Sequence, residues 1–320
     1  MTTLNPQPET IVPTVLDPEA LSDRPATLWG LVRQRFFRRK SALVGLGILA
    51  LLIFAAVFAP ALAPYDPEQV LIGVEDVRKR QAPCIHLLGC PADQPQHLMG
   101  LDGNVRDQFS RVLFGSRFSL IIGFTTVTFA ILIGATLGGI GGFVGGWVDD
   151  VIMRIMDVLL AFPSLLLAIA IVAVLGPGLI NALLAIGIVS IPAYARVVRA
   201  SVLVVKEMDY VSASRALGAS PMRLLYERIL PNALTPLIVQ GTLGIASAIL
   251  DAAALSFLGL GAQPPTPEWG SMLGSERNQV FTAPHLVFYP GLAIMLTVLA
   301  FNLLGDGLRD ALDPRLAHIS

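Results

Sequence analysis

The stretch Ser41-Ala-Leu-Val-Gly-Leu-Gly-Ile-Leu-Ala-Leu-Leu-Ile-Phe-Ala-Ala-Val-Phe-Ala-Pro-Ala-Leu-Ala-Pro-Tyr65 decides the fold, because its twenty-five residues contain no charged side chain. This run exceeds the ~7–15-residue apolar core of a cleavable signal and matches the ~20 residues that a helix needs to cross ~30 Å of hydrocarbon. Residues 1–30 are polar and contain no apolar run. We therefore expect a retained transmembrane helix at residues 41–63, after a tail at residues 1–40.

The composition of the whole chain agrees with a membrane protein. Of its 320 residues, 54% are hydrophobic and only 14% are charged, whereas a soluble domain carries about 25% charged residues. Such a chain has too little polar surface to cover itself in water. The net charge of -1 gives no indication of a nucleic-acid partner.

Five more apolar runs predict five more spans, since backbone polar groups in lipid need the internal partners that a helix supplies. They are predicted at residues 118–148, 150–175, 179–197, 234–258 and 286–304. The first of these runs contains five glycines that let helices pack closely: Gly134, Gly138, Gly139, Gly141 and Gly142. Prolines in the spans are expected either to kink or bound helices or to be simply tolerated: Pro163, Pro192, Pro236 and Pro290.

The distribution of Lys and Arg predicts the orientation. Five positive charges fall within Arg33-Gln-Arg35-Phe-Phe-Arg38-Arg39-Lys40, just before the first span. With this end in the cytoplasm, the inner segments hold fifteen Lys and Arg residues and the outer segments seven, as the positive-inside bias requires. Both termini then lie in the cytoplasm, and the basic stretch can also contact anionic membrane lipids.

This orientation divides the chain into parts. After the tail and the first span come an extracytoplasmic loop at residues 64–117 and a five-helix core at residues 118–305. A cytoplasmic tail follows at residues 306–320. The core contains a cytoplasmic loop at residues 198–231, which is far longer than the ~2–8 residues of an ordinary helix connection.

This long loop has the pattern of a helical elbow. Residues 208–217 are compatible with a helix, and Gly218 follows where a helix would stop. Ser220 can cap a second helix, with Pro221 at its first position, and this helix is predicted to end before Pro231. Such an elbow suits docking to a soluble motor, and it equally suits an amphipathic elbow lying on lipid. Composition alone leaves both interpretations open.

The segment Tyr210-Val-Ser-Ala-Ser-Arg-Ala-Leu-Gly218-Ala-Ser, followed by Arg228-Ile-Leu-Pro231-Asn232, resembles the cytoplasmic "EAA" loop of binding-protein-dependent ABC importers. The family's usual Glu falls on Ser212, its second Ala on Ser214, and its common His on Arg228. The resemblance implies a coupling helix that docks on an ATPase subunit. The coupling residues would be Tyr210, Ser212, Ala213, Ser214, Arg215, Ala216, Leu217, Gly218, Ala219 and Arg223.

Four more segments resemble the C-type permease of the peptide, opine and nickel branch of this family. They are Gly100-Leu-Asp102 through Gly115, Met153-Arg154 through Pro163, Leu255-Ser-Phe-Leu-Gly-Leu-Gly261 through Gly270, and Gly305-Asp306 through Arg315. Asn104 and Val105 replace the more usual Leu-Gly pair. The five segments occur in the family's order and cover most of residues 40–315.

The resemblance implies an all-α membrane protein of the type I ABC importer permease fold, with six transmembrane helices, in the bacterial inner membrane. It implies a path for di- or oligopeptides formed with a homologous B-type permease subunit. Two ABC ATPase subunits would hold ATP and Mg, an extracytoplasmic solute-binding protein would deliver the solute, and this chain would bind no cofactor itself. Nickel chelates, opines and oligosaccharides are the alternative solutes.

Polar residues inside the spans are the candidates for the translocation path, because a charge at the centre of a span costs ~2.5–3.5 kcal/mol. Asp251 is interpreted either as a carboxylate that meets a peptide ammonium group or as a packed structural side chain. Gln240, Ser247 and Asn302 can line a path or make interhelical hydrogen bonds. Arg154 and Asp157, three residues apart, are expected to pair with each other.

The outer loop contains both cysteines, Cys84 and Cys90. In an oxidising compartment a disulfide between them is expected. The alternatives are a metal site formed by these cysteines with His86 and His97, at a spacing that is not a standard zinc pattern, and two free thiols. Residues 263–274, with the aromatic Trp269, are expected on the outer surface where a solute-binding protein docks.

The sequence does not indicate an enzyme. It has no GxxxxGK[ST] phosphate loop, and its four histidines are scattered without a partnered nucleophile. A secondary transporter would show two related halves with broken helices, and a membrane enzyme would need a reactive cluster beside a span. We therefore expect a non-catalytic permease subunit.

Overall fold

The computed structural model describes residues 28–312, so the predicted tail ends at 1–27 and 313–320 lie outside the described residues. Residues 28–312 form helices joined by turns and loops, without a β-strand. The α-helices are α1 Leu28–Arg38, α2 Lys40–Leu62, α3 Gln108–Val144, α4 Gly146–Leu160, α5 Ser164–Leu175, α6 Leu179–Val205, α7 Asp209–Ala216, α8 Pro221–Arg223, α9 Leu230–Ala233, α10 Thr235–Phe257, α11 Trp269–Glu276 and α12 His285–Leu312.

Five of these helices are long and apolar enough to cross a membrane, namely α2, α3, α6, α10 and α12. The predicted third span at residues 150–175 is not one straight helix, because α4 and α5 meet at an angle of 90°. Pro163 lies at this bend, directly before α5. It has no backbone N–H to continue the hydrogen bonding of α4, which explains why the two helices separate here. The described residues thus contain five spans, or six if this bent pair is one span.

Several helices extend beyond the predicted limits. Helix α3 begins ten residues before residue 118, α6 continues through the start of the predicted loop, and α12 continues to Leu312. Part of the predicted N-terminal tail is helix α1, which contacts α12. Arg39, next to α1, forms an exposed ion pair of 3.4 Å with Asp310. The apolar runs predicted the hydrophobic middle of each helix, and the polar turns at their ends were missed.

The most extensive helix packing is between α3 and α6, and three of the predicted small residues allow it. A Cβ atom at Gly134 would lie 2.8 Å from the Cβ atom of Tyr194, and one at Gly142 would lie 3.0 Å from the carbonyl oxygen of Arg199. At Gly138 an added Cβ would overlap the carbonyl of Ala195. These glycines recur every four residues, so they lie on one face of α3. They allow the two backbones to touch, as the sequence predicted.

Ion pairs join α4 to α6. Arg199 donates to both carboxylate oxygens of Asp149 at 2.5 Å. The predicted pairing of Arg154 with Asp157 is wrong: Asp157 pairs instead with Arg196 of α6, at 2.5 Å. The spacing of three residues permitted a local pair, but the bend after α4 places Asp157 beside another helix. Such tertiary partners do not appear in a local sequence pattern.

Candidate coupling elbow, membrane path and outer cap

The coupling elbow, residues 206–234, has the local structure that the sequence predicted up to its second helix. Helix α7 ends at Ala216, and Gly218 has a φ of +85°, the left-handed conformation that favours glycine. The Ser220 hydroxyl oxygen then accepts the N–H of Arg223 at 3.4 Å and caps α8. Two short helices therefore meet at a sharp turn.

The tip of the elbow is exposed while its base is buried. Leu217 at the tip is 89% exposed, and a Cβ atom added at Gly218 would meet nothing within 4 Å. At the base, Val211 and Ile229 are both 0% exposed. The base is thus a packed apolar anchor, which leaves the tip available to a partner.

The predicted coupling residues fall on both sides of this division. Ser214 and Ala219 are half-buried, and the Ser214 hydroxyl donates to the carbonyl of Tyr210 at 2.8 Å. Arg223 is exposed and pairs with Glu227 at 3.0 Å within its own helix. The other predicted coupling residues are exposed: Tyr210, Ser212, Ala213, Arg215, Ala216, Leu217 and Gly218.

The second half of the elbow differs from the prediction. Leu224–Ile229 forms a π-helix, and Pro231 does not end the helix but lies inside α9. Proline is tolerated there because it occupies the first turn, where its missing N–H is not needed. Only one residue, Leu234, separates α9 from α10. An almost continuous helical connection therefore runs from the elbow into a membrane helix.

A small hydrogen-bond network holds the two halves of the elbow together. The Tyr210 hydroxyl donates to the carbonyl of Arg228 at 3.3 Å, and the Asn232 side-chain amide donates to the Tyr210 hydroxyl oxygen at 3.1 Å. Asn232 also donates to the Arg228 carbonyl at 2.8 Å. Sequence analysis assigned no role to Asn232 itself; its place in the motif next to Pro231 was the only signal.

Three of the four predicted path residues lie on one face of α10. Gln240, Ser247 and Asp251 follow helical spacing with Gly244 between them, and Ser247 is exposed while Gln240 and Asp251 are partly exposed. The hydroxyl of Tyr194 on α6 occupies the space that a side chain at Gly244 would fill. The Tyr194 hydroxyl thus adds a polar group beside this face of α10. Sequence reasoning missed it because Tyr194 belongs to another helix, α6.

The fourth predicted path residue, Asn302, lies on a different helix, α12, on an exposed face that also bears Asp306 and Arg309. This face meets the polar face of α10 at one end only. There Arg309 and Gln240 line the same groove, of about 410 Å³. The structure thus brings Gln240 near a basic side chain that sequence analysis had assigned only to the tail.

The outer cap, residues 63–107, attaches to the start of α3 through buried polar groups. His97 is fully buried, with Nδ1 3.0 Å from Asp107 Oδ1 and Nε2 3.2 Å from Glu75 Oε2. Asp107 caps α3 by accepting the Ser110 N–H at 2.8 Å. The Tyr65 hydroxyl donates to Glu75 at 3.0 Å, and burial raises the pKa of Tyr65 to about 12, with the Glu75 contact as a further cause.

A second buried network lies in the same cap. Asp102 Oδ2 accepts from Arg106 Nε at 2.8 Å and lies 3.5 Å from Arg111 Nε, and all three residues are largely buried. Arg80 pairs with Glu276, the last residue of α11, at 2.8 Å, and Glu276 also accepts the N–H of Gly103 at 2.9 Å. These contacts hold the cap against the loop between α10 and α12.

The predicted docking aromatic is not on the surface. Trp269 is 1% exposed, and its indole N–H donates to the carbonyl of Val112 at 3.0 Å. Glu268, which caps α11 by accepting the N–H groups of Gly270 and Ser271 at 2.9 and 2.8 Å, is also buried. An aromatic next to a polar run can be either a contact or a core residue, and here it packs in the core.

The two cysteines face each other in the cap as a disulfide, with Cα atoms 5.4 Å apart. His97 is engaged with carboxylates instead, and His86 contacts the carbonyl of Gln94 at 2.8 Å. Within residues 28–312 no group of three or more His, Cys, Asp or Glu side chains is arranged to hold a metal ion. The alternative metal site is therefore not assembled from these residues.

Comparisons with known proteins identify the family to which this architecture belongs. Residues 130–318 match the family described as the binding-protein-dependent transport system inner membrane component, and residues 27–83 match the N-terminal TM domain of oligopeptide transport permease C. A chain of the MetNI methionine ABC transporter, in an inward-facing conformation, superposes with a TM-score of 0.52. Its sequence is 20% identical and the match covers 63% of this chain and 96% of that one, so the likeness concerns the fold.

Relatives of higher identity extend over nearly the whole chain. The Di/tripeptide transport system permease protein DppC of Pseudomonas aeruginosa is 52% identical over 289 residues, 89% of this chain and 91% of its own. The Dipeptide transport system permease protein DppC of Alkalihalophilus pseudofirmus is 47% identical, covering 90% of each chain. The Glutathione transport system permease protein GsiD of Pectobacterium atrosepticum is 46% identical, covering 91% of this chain and 92% of its own.

The helical membrane core with its long elbow is that of an ABC importer permease, a multi-pass protein of the bacterial inner membrane. Within this class, the chain belongs to the binding-protein-dependent transport system inner membrane component family, as a C-type permease of its peptide branch.

Proposed function

We propose that this chain and a homologous B-type permease subunit together line a path through which di- or oligopeptides enter the cell. The chain crosses the membrane six times, with α4 and α5 as one bent span and both termini in the cytoplasm. Two ABC ATPase subunits hold ATP and Mg, and a solute-binding protein delivers the peptide from outside. The names of the relatives, which include di/tripeptide and dipeptide permeases, support this solute class.

The observation that carries the proposal is the contrast within the coupling elbow. Its tip presents the exposed apolar side chain of Leu217 next to Gly218, which has open space around it, and a groove on an ATPase can receive this surface. Its base is buried through Val211 and Ile229. An element that only lay on lipid would not need such an anchor, whereas an element that transmits force needs a stiff base.

The route of the force follows from the chain itself. Motion of the elbow passes through Leu224–Ile229 and α9 into α10, because helices transmit displacement along their axes. Helix α10 bears Gln240, Ser247 and Asp251 on one face. A change in the angle of α10 therefore moves the polar face that we assign to the path, and the Asp251 carboxylate there can pair with a peptide ammonium group.

The decisive experiment substitutes Gly218→Asp in the assembled importer and measures ATP-driven dipeptide uptake in proteoliposomes. We expect uptake to fall at least tenfold, because the new side chain and the strain at positive φ disturb the docking tip. The matched control is Gly73→Asp in the outer cap, where φ is +81° and an added Cβ also meets nothing within 4 Å. Normal uptake by the Gly218→Asp importer, assembled in normal amount, would overturn the coupling role.

The identity of the solute is tested with the same proteoliposomes. Excess unlabelled dipeptide should compete with uptake of labelled dipeptide, whereas a nickel chelate, an opine or an oligosaccharide should not. Competition by glutathione would place the protein with its GsiD relatives. If one of the non-peptide solutes competes and the dipeptide does not, the peptide assignment fails while the coupling role stands.

The cysteine pair belongs to the proposal as well. We expect Cys84 and Cys90 to be bonded on the outside of the cell, where the compartment is oxidising. The mass of the unreduced protein after alkylation checks this, since two alkylated thiols at these positions would contradict the bond.

A further inference from the structure

Helix α2 has a backbone defect inside its apolar length. Pro60 lies within the helix and has no N–H, so the carbonyl of Ala56, four residues earlier, has no helical donor. In hydrocarbon an unsatisfied carbonyl costs several kcal/mol, because no water is present to bind it. Another part of the protein has to supply the missing donor.

Arg117 of α3 supplies it. Its Nε donates to the carbonyl of Ala56, and its Nη2 donates to the carbonyl of Val57 at 2.8 Å. The guanidinium also lies 5.4 Å from the centre of the Phe114 ring. The two carbonyls accept hydrogen bonds from the guanidinium, but neither they nor the Phe114 ring carries a negative charge. Throughout residues 28–312, no Asp or Glu lies within 4.0 Å of Arg117 as an ion-pair partner.

The uncompensated cation stands at one end of an apolar groove. The groove lies between α2 and α3 and has a volume of about 670 Å³. Its apolar walls include Val57, which is 59% exposed, and Ile121, which is 58% exposed. From Arg117 the groove follows α3 as far as Thr125, roughly 12 Å at 1.5 Å per residue. It runs away from the cap and towards the middle of the membrane.

Arg117 lies near the end of α2, within the reach of its long side chain from the lipid headgroups. Ala56 lies six residues before the end of α2 at Leu62, which is roughly 9 Å along the helix. A long arginine at this level can keep its charge near the membrane surface. The site therefore combines a cation within reach of the headgroups with an apolar groove beneath it.

We propose that this groove binds one net-anionic phospholipid from the leaflet on the side of the outer cap. Its phosphate pairs with the Arg117 guanidinium, which favours planar, bidentate binding of phosphate oxygens, and an acyl chain lies along Val57, Ile121 and Phe124. A protein partner would fit this surface less well, since it would have to bring a carboxylate to an otherwise apolar wall.

The test uses the complete importer in nanodiscs of equimolar phosphatidylglycerol and phosphatidylcholine, transferred to detergent for native mass spectrometry. We expect the wild-type importer to retain phosphatidylglycerol in preference to phosphatidylcholine. Arg117→Gln keeps a donor for the Ala56 carbonyl but removes the charge, and should lower the retained phosphatidylglycerol about tenfold. Arg117→Lys should retain most of it. The charge control is Arg154→Gln, on an exposed polar face of α4, which should change nothing.

A second variant tests the groove without touching the cation. Thr125→Trp fills the groove and should also release the lipid, whereas Met295→Trp, on an exposed face of α12, should not. Equal retention of the two lipids by the wild type, or unchanged phosphatidylglycerol in Arg117→Gln, would overturn the proposal. So would a cross-link from Thr125→Cys to the partner permease, because the groove would then be covered by protein.

Discussion

The outer cap and the coupling elbow are both long excursions from the membrane helices, yet they are held in opposite ways. The cap is fixed by buried charges, with His97 between two carboxylates and Asp102 beside two arginines. The elbow is anchored by apolar side chains such as Ile229, and its ion pair between Arg223 and Glu227 is exposed. Buried polar networks fix one geometry because partial breakage is costly, whereas an apolar base can shift as a unit. The difference fits the proposed roles of a rigid cap and an elbow that moves.

The largest effect is expected where the cap's ionic network is broken. Asp102→Ala leaves Arg106 and Arg111 without their shared carboxylate, and Arg111 is only 4% exposed. Removing one partner of a buried ion pair costs about 3–5 kcal/mol. We expect a marked loss of folded protein in the membrane and a lower midpoint of thermal unfolding in detergent.

The matched control for this change is Asp157→Ala, which removes the exposed pair with Arg196. Exposed pairs contribute about 0–1 kcal/mol, so its unfolding midpoint should stay near that of the wild type. If both variants lose the same stability, buried charge does not hold the cap, and the contrast between the two regions fails.

The next effect separates the base of the elbow from its tip. Ile229→Ala removes a fully buried side chain and should cost about 2–5 kcal/mol. Leu217→Ala changes a side chain that is 89% exposed, and should leave the unfolding midpoint unchanged while it lowers ATP hydrolysis stimulated by the solute-binding protein. A Leu217→Ala importer with full stimulation would show that the tip does not contact the ATPase.

These two regions also show what the sequence could predict. Local rules predicted the elbow's first half, since Gly218 and Ser220 act within a few residues of their own position. The uncharged runs likewise predicted the five long apolar helices, and the glycines of α3 predicted close packing. Each of these features depends on composition or on neighbours within one or two turns.

The features that were missed depend on distant partners. Asp157 pairs with Arg196, Trp269 is buried under Val112, and His97 lies between Glu75 and Asp107. Pro231 was expected to end a helix, but the π-helix before it places the proline in a first turn. The partners of these residues are far apart in the sequence, so no local pattern predicts which of them the fold brings together.

The smallest expected effect concerns pH and the buried carboxyl of Glu268, which caps α11. Burial raises the pKa of Glu268 above the ordinary value of 4.5, although hydrogen bonds from the N–H groups of Gly270 and Ser271 oppose the shift. From pH 4.5 up to the raised pKa, the folded state therefore binds more protons than the unfolded state. Unfolding releases protons in this window, so stability falls as the pH rises through it.

This dependence is measurable as a difference between two variants and the wild type. The side chain introduced by Glu268→Gln cannot ionise. The unfolding midpoint of this variant should therefore rise relative to that of the wild type as the pH rises from 4.5. The control Glu227→Gln removes an exposed carboxyl of the elbow instead, whose ion pair contributes only about 0–1 kcal/mol. Parallel curves for all three proteins would mean that the Glu268 carboxyl is as well solvated as an exposed one. Water would then reach the Glu268 carboxyl at the start of α11.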